Sequence, residues 1–263
     1  MAPAQEIVTS RANSRVKQLR AAFAGQARLA SGLVAIEGDH LLEEALRSGQ
    51  VLKSIFLSED RALPTYLPRG VETIVLAKDV FASCVETLSP QGIAALLVPP
   101  VASVEQMLTG TPLLLIAVGL QDPGNLGTLI RSAEAFGATG VLITPGTVSP
   151  WNQKSIRASA GSVFRVPTAV ATPEVMETLE QHSVRLLAAM KEDAIAIAAA
   201  DLTQSCGLMI GNEGAGLPEG WLAMADQRIT IPCPGPVESL NAAVAGSLLL
   251  YEASRQRAQR PAR

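Results

Sequence analysis

Three segments in the second half of the chain combine glycine or proline with side chains that can take part in a reaction. The first, residues 119–137, contains Asn125; the second, residues 208–218, contains Glu213; the third, residues 231–241, has three prolines within five residues. Glycine lets a backbone approach a ligand closely, and proline stiffens a loop into a fixed wall. Both features predict that these loops line a binding site for a small ligand.

The first segment predicts a helix that begins at Asn125, because apolar residues recur after it at helical spacing. A capping role alone also explains an asparagine at that position. Gly119 and Gly124 have the spacing of a phosphate-binding P-loop, but Asn125 and Leu126 replace its lysine and serine or threonine, which excludes that motif. Arg131 lies on the side of the helix away from the apolar stripe, where an isolated arginine is ordinarily just solvent-exposed.

The second segment does not match a dinucleotide-binding turn. Gly214 and Gly216 supply the first half of that fingerprint, but Glu219 occupies the third glycine position. Three glycines around Glu213 nevertheless indicate close approach of the backbone to a ligand. In the third segment, Ser239 is predicted to cap the terminal helix.

Composition excludes several classes of function. The two histidines and three cysteines form neither a CxxC pair nor an HExxH motif, so no metal site is expected. The sparse, odd cysteine count and a polar start without the apolar core of a secretory signal favour the cytoplasm. The apolar run at residues 113–118 is far shorter than the roughly 20 residues that span a bilayer, so no membrane role is expected.

Basic residues are concentrated in two places although the net charge is −3. Residues 1–30 have a local balance of +4, and residues 138–172 carry three basic residues and no acidic one. Such patches suit phosphate contacts, but they are equally typical of ordinary solvated faces. The charge pattern alone therefore does not identify a nucleic-acid partner.

The pattern of apolar runs predicts two α/β domains. Hydrophobic residues make up 48% of the chain, which is ample for buried cores. Short strands and helices alternate through residues 1–100, a proline pair ends that pattern, and residues 101–111 are interpreted as a linker. The near-continuous apolar run from Leu113 then predicts a central parallel strand in a second domain, residues 112–263.

The order of the three motifs resembles one family closely. The chain reads N-x-G-x-x-x-R from Asn125 to Arg131, then GNEGxGL from Gly211, then IPxxGxxxSLN from Ile231 to Asn241. This order is similar to that of SpoU-type RNA 2′-O-ribose methyltransferases of the SPOUT superfamily. The resemblance covers essentially the whole chain, with its specific motifs in the second half.

The resemblance implies a fold, a cofactor and partners. It implies a C-terminal parallel α/β sheet with a deep trefoil knot that binds S-adenosylmethionine, one of the rare exceptions to unknotted folding. It further implies a small α/β ribosomal-protein-like RNA-binding domain at the N-terminus, and a homodimer that builds its site across a knot-to-knot interface. The RNA contacts implied in the basic patches are Arg11, Arg15, Lys17, Lys154 and Arg157.

The resemblance also assigns the residues of the site. Those that act in the reaction are Arg131, Asn125, Glu213, Ser239 and Asn241. Those that contact the cofactor are Gly211, Ile231, Leu240 and, at the end of a predicted strand, Ala189.

The roles that follow are mainly alignment and electrostatics. Arg131 is expected to stabilise the developing alkoxide and the neighbouring phosphate, because a guanidinium normally stays protonated. Glu213 is expected to orient Arg131 through a charge-assisted bidentate bond. Asn125, Ser239 and Asn241 are expected to fix the geometry of substrate and loops.

Three alternatives remain open from the sequence. The first is an RNA-binding or ribosome-assembly protein without activity on the same fold. The second is a knot methyltransferase that acts on an RNA base, and the third is a small-molecule methyltransferase. Ribosomal RNA is preferred to transfer RNA as the substrate, but the target nucleotide is not readable because such targets are recognised through dispersed contacts.

Overall fold

A computed structural model describes residues 6–25, 32–237 and 239–259. The chain divides into two compact units. One contains the residues up to Pro100 together with Trp151–Phe164, and the other contains Val101–Pro150 and the chain from Arg165 onward.

The described helices and strands follow one another in this order: β1 (Ile7–Val8), α1 (Ser14–Phe23), β2 (Val34–Glu37), α2 (Asp39–Arg47), β3 (Leu52–Ser58), β4 (Glu72–Leu76), α3 (Lys78–Ala82), β5 (Ile93–Leu97), α4 (Val104–Met107), β6 (Leu113–Ala117), α5 (Pro123–Ala135), β7 (Gly140–Ile143), α6 (Gln153–Ser159), β8 (Thr168–Val170), α7 (Pro173–Gln181), β9 (Arg185–Ala189), β10 (Ile195–Ala196), β11 (Cys206–Ile210), α8 (Glu219–Ala223), β12 (Gln227–Thr230) and α9 (Ala242–Ala258). Apolar runs such as residues 51–57 and 207–210 predict strands, and these strands are confirmed to within a residue or two. The helix that the sequence predicts over residues 39–47 is also confirmed. The helix that it predicts near residues 79–87 ends earlier, at Ala82.

The first unit is built on a five-stranded sheet in the order β1-β4-β3-β5-β2, in which β5 runs antiparallel to both neighbours. Helix α1 begins after Asn13, whose side chain accepts a hydrogen bond from the backbone N–H of Arg15 at 2.8 Å. Val16, Leu19 and Phe23 recur on one face of α1 and are buried in the core of this unit. The basic residues of α1 are thereby left on its outer side.

The segment with α6 packs within the first unit, although the sequence grouped it with residues 112–263. The side chain of Gln153 is buried and donates from Nε2 to the carbonyl oxygen of Ala35 at 2.9 Å. That bond satisfies a polar side chain that burial would otherwise penalise. The other boundary expected from the sequence, the linker at residues 101–111, stays a prediction.

The second unit contains a seven-stranded sheet in the order β10-β12-β9-β11-β6-β7-β8, and every pair of neighbours is parallel. All residues of the central strands β6 and β11 are buried. The parallel α/β sheet predicted from the apolar run at Leu113 is therefore confirmed. The trefoil knot stays an expectation of the resemblance.

Two helices of this sheet pack closely on each other. Gly246 of α9 lies so near Leu129 of α5 that an added Cβ would stand 2.4 Å from the leucine Cδ2. Ser132 and Ser247 share a hydrogen bond of 2.7 Å between their hydroxyls. Small residues at this contact let α5 and α9 approach each other closely.

Arg257 fixes the far end of α9. Its guanidinium donates hydrogen bonds of 2.7–2.9 Å to four backbone carbonyls, those of Thr111, Pro112, Leu202 and Gln204. These bonds hold the end of α9 against the starts of β6 and β11. In the described part of the chain, no helix is long and apolar enough to cross a bilayer.

Candidate active site

The three glycine- and proline-rich segments meet at one edge of the parallel sheet. Gly119 follows β6, Gly211 follows β11, and the segment from Ile231 follows β12. Because β6 and β11 are parallel neighbours, their carboxyl ends lie side by side. Ligands of open α/β sheets bind outside the carboxyl ends of the strands, which makes this edge the candidate site.

Helix α5 begins two residues earlier than the sequence suggested. Asp122 is its N-cap: the Oδ1 atom accepts hydrogen bonds from the backbone N–H groups of Gly124 at 2.5 Å and Asn125 at 3.4 Å. Pro123 follows as the first helical residue, where its missing N–H costs nothing. Asn125 is therefore not the cap, and its side chain is available for other contacts.

The expectation that Ser239 caps the terminal helix is wrong, because Asn241 does so. The Oδ1 atom of Asn241 accepts from the backbone N–H groups of Ala243 at 2.9 Å and Val244 at 3.3 Å. Its Nδ2 group then faces the first segment and donates to Oδ1 of Asn125 at 3.1 Å. Capping thus fixes which way the Asn241 amide points.

Asn125 continues this network into the second segment. Its Nδ2 group donates to Oε1 of Glu213 at 2.6 Å, a distance typical of a charge-assisted bond. Asn241, Asn125 and Glu213 therefore form one hydrogen-bonded chain that joins all three segments. The sequence assigned these residues to one site, and the structure brings their side chains together.

The expected pair between Glu213 and Arg131 is not formed within this chain. Arg131 is exposed on α5 and makes no hydrogen bond or ion pair with the residues that the structure describes. Glu213 is also exposed, and its bonded partner is Asn125. The guanidinium of Arg131 is consequently available to a group from outside the chain.

Asn212 belongs to the site and was missed by the sequence reasoning. Its Nδ2 group donates to the carbonyl oxygen of Gly119 at 3.1 Å, which ties the second segment to the first. Its Oδ1 atom accepts from the N–H groups of Gly214 at 2.9 Å and Ala215 at 3.1 Å, an Asx turn. An asparagine two residues before a glycine is a turn signal that could have found this residue.

Gly211 packs tightly against the far side of the same loop. An added Cβ would lie 2.4 Å from the backbone carbon of Gly216 and 2.6 Å from the nitrogen of Leu217. No side chain fits there without moving the backbone, so Gly211 is required for the shape of the loop. A cleft lies between the ends of β9 and β12 and the first half of α9, and Gly211 is not among the described residues that line it.

A cleft of about 410 Å³ lies beside the hydrogen-bonded chain. Four residues that the resemblance placed in the site line it: Ala189, Ile231, Ser239 and Leu240. Further walls are mostly apolar and include Met190, Ile229, Pro232, Val237, Ala245 and Leu249. Apolar walls with a few backbone polar groups suit a flat adenosine moiety, so the cleft fits the cofactor that the resemblance implies. Among the described residues, no cluster could hold a metal ion.

The basic residues expected to contact RNA differ in their surroundings. Arg11 pairs with Asp79 at 3.3 Å and Arg15 with Glu72 at 2.7 Å, so both charges already have partners. Lys17 is exposed on α1. Lys154 and Arg157 are exposed on α6, within the same unit as α1.

Known proteins resemble the chain in both units. The model of the SpoU rRNA Methylase family matches residues 112–251, and that of the MRM3-like substrate binding domain matches residues 13–95. The 23S rRNA (guanosine(2553)-2′-O)-methyltransferase RlmP of Bacillus subtilis is 34% identical over 93% of this chain and 97% of its own length. A 23S rRNA (uridine(2479)-2′-O)-methyltransferase of Streptomyces viridochromogenes is 31% identical over 97% of this chain and 94% of its own length.

A solved structure agrees with these matches. The crystal structure of the SpoU methyltransferase AviRb from Streptomyces viridochromogenes, in complex with the cofactor AdoMet, superposes with a TM-score of 0.86. It is 30% identical, and the match covers 94% of this chain and 99% of that one.

Proposed function

Because the chain belongs to the SpoU rRNA methylase family, we propose that it transfers a methyl group from S-adenosylmethionine to a ribose 2′-hydroxyl of ribosomal RNA. The observation that carries this proposal is the hydrogen-bonded chain of Asn241, Asn125 and Glu213 beside the apolar cleft. Two of the relatives are named for 2′-O methylation of 23S rRNA, which favours ribosomal over transfer RNA. A ribosomal substrate agrees with the cytoplasmic location expected from the sequence.

The residues of the cleft would hold the cofactor. Ile231 and Leu240, which both line the cleft, would enclose the adenosine moiety, with Ala189 at the end of β9 as a further wall. Gly211 would act by giving the adjoining loop its shape. S-adenosylmethionine, when bound, supplies a methyl group on a positively charged sulfur. The chain has to align the ribose oxygen with that methyl group and to exclude water.

Arg131 would stabilise charge on the substrate. A guanidinium presents N–H donors in a planar fork, and that of Arg131 has no partner in the described part of the chain. It can therefore donate to the ribose oxygen as the hydroxyl loses its proton and to the phosphate beside it. Asn125, Glu213 and Asn241 would keep the three loops at fixed distances from one another, so that substrate oxygen and cofactor stay aligned.

Two copies of the chain would build the site together. Val244, Leu248 and Tyr251 leave an exposed apolar stripe on α9, and Tyr251 stacks edge-on against Phe136 with ring centroids 5.7 Å apart. A homodimer through this stripe would bury it, and because Arg131 lies on α5, next to α9, it would bring Arg131 of one subunit to Glu213 of the other. That arrangement would account for the missing pair within one chain.

RNA would first be held by the other unit. Lys17 on α1 and Arg157 on α6 are exposed basic residues there. Arg11, Arg15 and Lys154 would add to the same electrostatic attraction, with Arg11 and Arg15 exchanging their carboxylate partners for phosphates.

The function is tested by mapping ribose methylation in total RNA from a strain that lacks the gene. We expect one ribosomal nucleotide to lose its 2′-O-methyl group and to regain it with the parental gene but not with Arg131→Ala. A strain whose ribose methylation is unchanged would contradict the proposal. Loss of a base methyl group would instead support the alternative reaction on a base.

A further inference from the structure

A second cavity, larger than the cofactor cleft, lies between α7 and α8 and is called the α7–α8 groove. Its volume is about 990 Å³. Met176 and Leu179 of α7 form one wall, Trp221 and Met224 form the other, and Leu186 of β9 lies in the floor. All of these residues belong to the second unit.

The two helices that flank the groove are incompletely covered. Leu179 is the only buried residue of α7, and α8 has no buried residue among the positions described. Trp221 is half-buried, and Met224 is 42% exposed. Met176 and Trp221 pack partly against the core of this unit, and the described part of the chain does not cover the apolar surface that they and Met224 still expose.

The groove lies on the opposite side of the sheet from α5 and α9. Met209 packs in the same core cluster as Leu179 and Leu186, whereas its neighbour Ile210 faces Gly246 of α9. Successive residues of a strand point to opposite faces of the sheet. An occupant of the groove would therefore leave both the apolar stripe of α9 and the α5 surface free.

The rim of the groove is acidic. Glu177, Glu180 and Asp226 are among the lining residues, against one cation, Arg185, and the Oδ2 atom of Asp226 accepts from the backbone N–H of Leu186 at 2.7 Å. The guanidinium of Arg185 donates to the backbone carbonyl of Asp201, within the chain. A polyanion such as RNA would be repelled here, because like charges would meet.

The same charges argue against a second copy of the chain as the occupant. In a two-fold symmetric pair each groove would face the identical groove, and the carboxylates of Glu177, Glu180 and Asp226 would oppose one another. Basic side chains complement this rim, and apolar side chains complement the walls. Methionine adapts its shape to varied partners, which suits recognition of an extended or helical segment.

We propose that the α7–α8 groove docks a basic polypeptide segment of another protein. Apolar side chains of that segment fill the space between Met176, Trp221 and Met224, and its lysine or arginine residues pair with Glu177 and Glu180. This docking leaves the cofactor cleft free, because the groove and the cleft have no lining residue in common.

A random peptide library of about twelve residues, displayed on beads and sorted with the labelled full chain, tests this proposal. The parental chain is sorted beside Met224→Lys and Glu180→Lys, which change exposed residues of the groove. Matched controls are Val51→Lys and Glu86→Lys, which likewise replace one apolar and one acidic residue by lysine at exposed positions of the other unit.

We expect the enriched peptides to carry a net positive charge and two or more large apolar residues. Their affinity should fall by roughly tenfold or more with either groove variant and stay unchanged with both controls. Both groove variants should methylate protein-free RNA at the parental rate. The proposal is overturned if no peptide is enriched, if the enriched peptides are acidic or uncharged, or if the groove variants bind them as the parent does. A lower oligomeric mass of Met224→Lys in light scattering would assign the groove to self-association instead.

Discussion

Asn125 and Glu213 lie 88 residues apart in the chain, yet the Asn125 amide donates to the Glu213 carboxylate at 2.6 Å. Rotating the Asn125 amide by 180° would break a hydrogen bond, because its Oδ1 atom accepts from Asn241. Asn241 is itself held by the first turn of α9. A capping interaction at one helix therefore sets the direction of a bond between two other loops. The reaction that we propose depends on this fixed geometry.

Asn125→Asp should damage methyl transfer more than cofactor binding. The new carboxylate would face that of Glu213 and could no longer donate to it, so the loops would separate. We expect the rate to fall about 100-fold, as for loss of one preorganised group, and the affinity for S-adenosylmethionine in calorimetry to stay nearly unchanged. Asn152→Asp is the matched control, because aspartate caps α6 as well as asparagine does. Parental turnover by Asn125→Asp would show that the network is dispensable.

Asn212→Asp separates the two roles of the Asn212 side chain, as a hydrogen-bond donor between loops and as an acceptor within its own turn. Aspartate keeps the oxygen that accepts from Gly214 and Ala215 but loses the group that donates to Gly119. Turnover should therefore drop while the thermal unfolding midpoint changes little. Asn212→Ala should lose both, with an additional destabilisation of about 1 kcal/mol for the broken hydrogen bonds. Equal turnover by the aspartate variant and the parent would remove Asn212 from the site.

The shared site can be tested by mixing two inactive variants. If Arg131 of one subunit serves the Asn125 and Glu213 of the other, a heterodimer of Arg131→Ala and Asn125→Asp contains one intact site. Random exchange of subunits in a two-fold dimer should then restore up to about a quarter of the parental activity. Light scattering should show about twice the mass of 27.5 kDa for the parent. A monomeric parent, or a mixture as inactive as its components, would contradict the shared site.

The sequence was informative where local patterns decide the structure. The fully apolar strand at Leu113 and the helix over Asp39–Arg47 follow from their own residues, and both are confirmed. The helix predicted near Asp79 ends at Ala82, and the chain after it is held as a loop at Thr87, which donates to the buried carboxylate of Glu37. That contact joins distant residues and leaves no local signature.

In the candidate site, too, some features follow from the local sequence and others depend on individual contacts in the folded chain. Motif order assigned Asn125, Glu213 and Asn241 to one place, but which of them cap helices depended on single hydrogen bonds. Asp122 competes successfully with Asn125 for the start of α5 because Pro123 follows it. Asn241 rather than Ser239 caps α9 for a comparable local reason: α9 begins directly after it. Glu213 was expected to orient Arg131, and the structure shows no such pair within one chain among the described residues.

The first unit should lose stability in acid and in alkali because of one pair of side chains, Tyr66 and Asp39. Tyr66 donates to Asp39 at 2.7 Å, and this bond, with Arg61 beside it, holds the pKa of Asp39 below its usual value. Burial, together with the Asp39 carboxylate, raises the pKa of Tyr66. The lowered pKa of Asp39 gives stability that is lost as pH falls below about 4, and the raised pKa of Tyr66 gives stability that is lost as pH rises above about 10.

Tyr66→Phe tests this dependence in urea unfolding across pH. The variant should lack the alkaline loss and show a smaller acid loss than the parent, because phenylalanine does not titrate and cannot donate to Asp39. A parental and a variant curve that run parallel from pH 3 to pH 11 would rule out this pair as the cause.

The central claim is that Arg131 promotes methyl transfer to a ribose oxygen. The most direct test uses RNA from cells that lack the gene and measures how fast the protein transfers a tritiated methyl group to it from S-adenosylmethionine. The parent should place the label in a nucleotide whose following bond resists alkali, as 2′-O-methylation requires. Arg131→Ala should reduce the rate about 100-fold or more with cofactor affinity nearly unchanged, and Arg131→Lys should be nearly as slow because it lacks the planar fork. Label on a base, or parental rates in the Arg131→Ala and Glu213→Ala variants, would contradict the account.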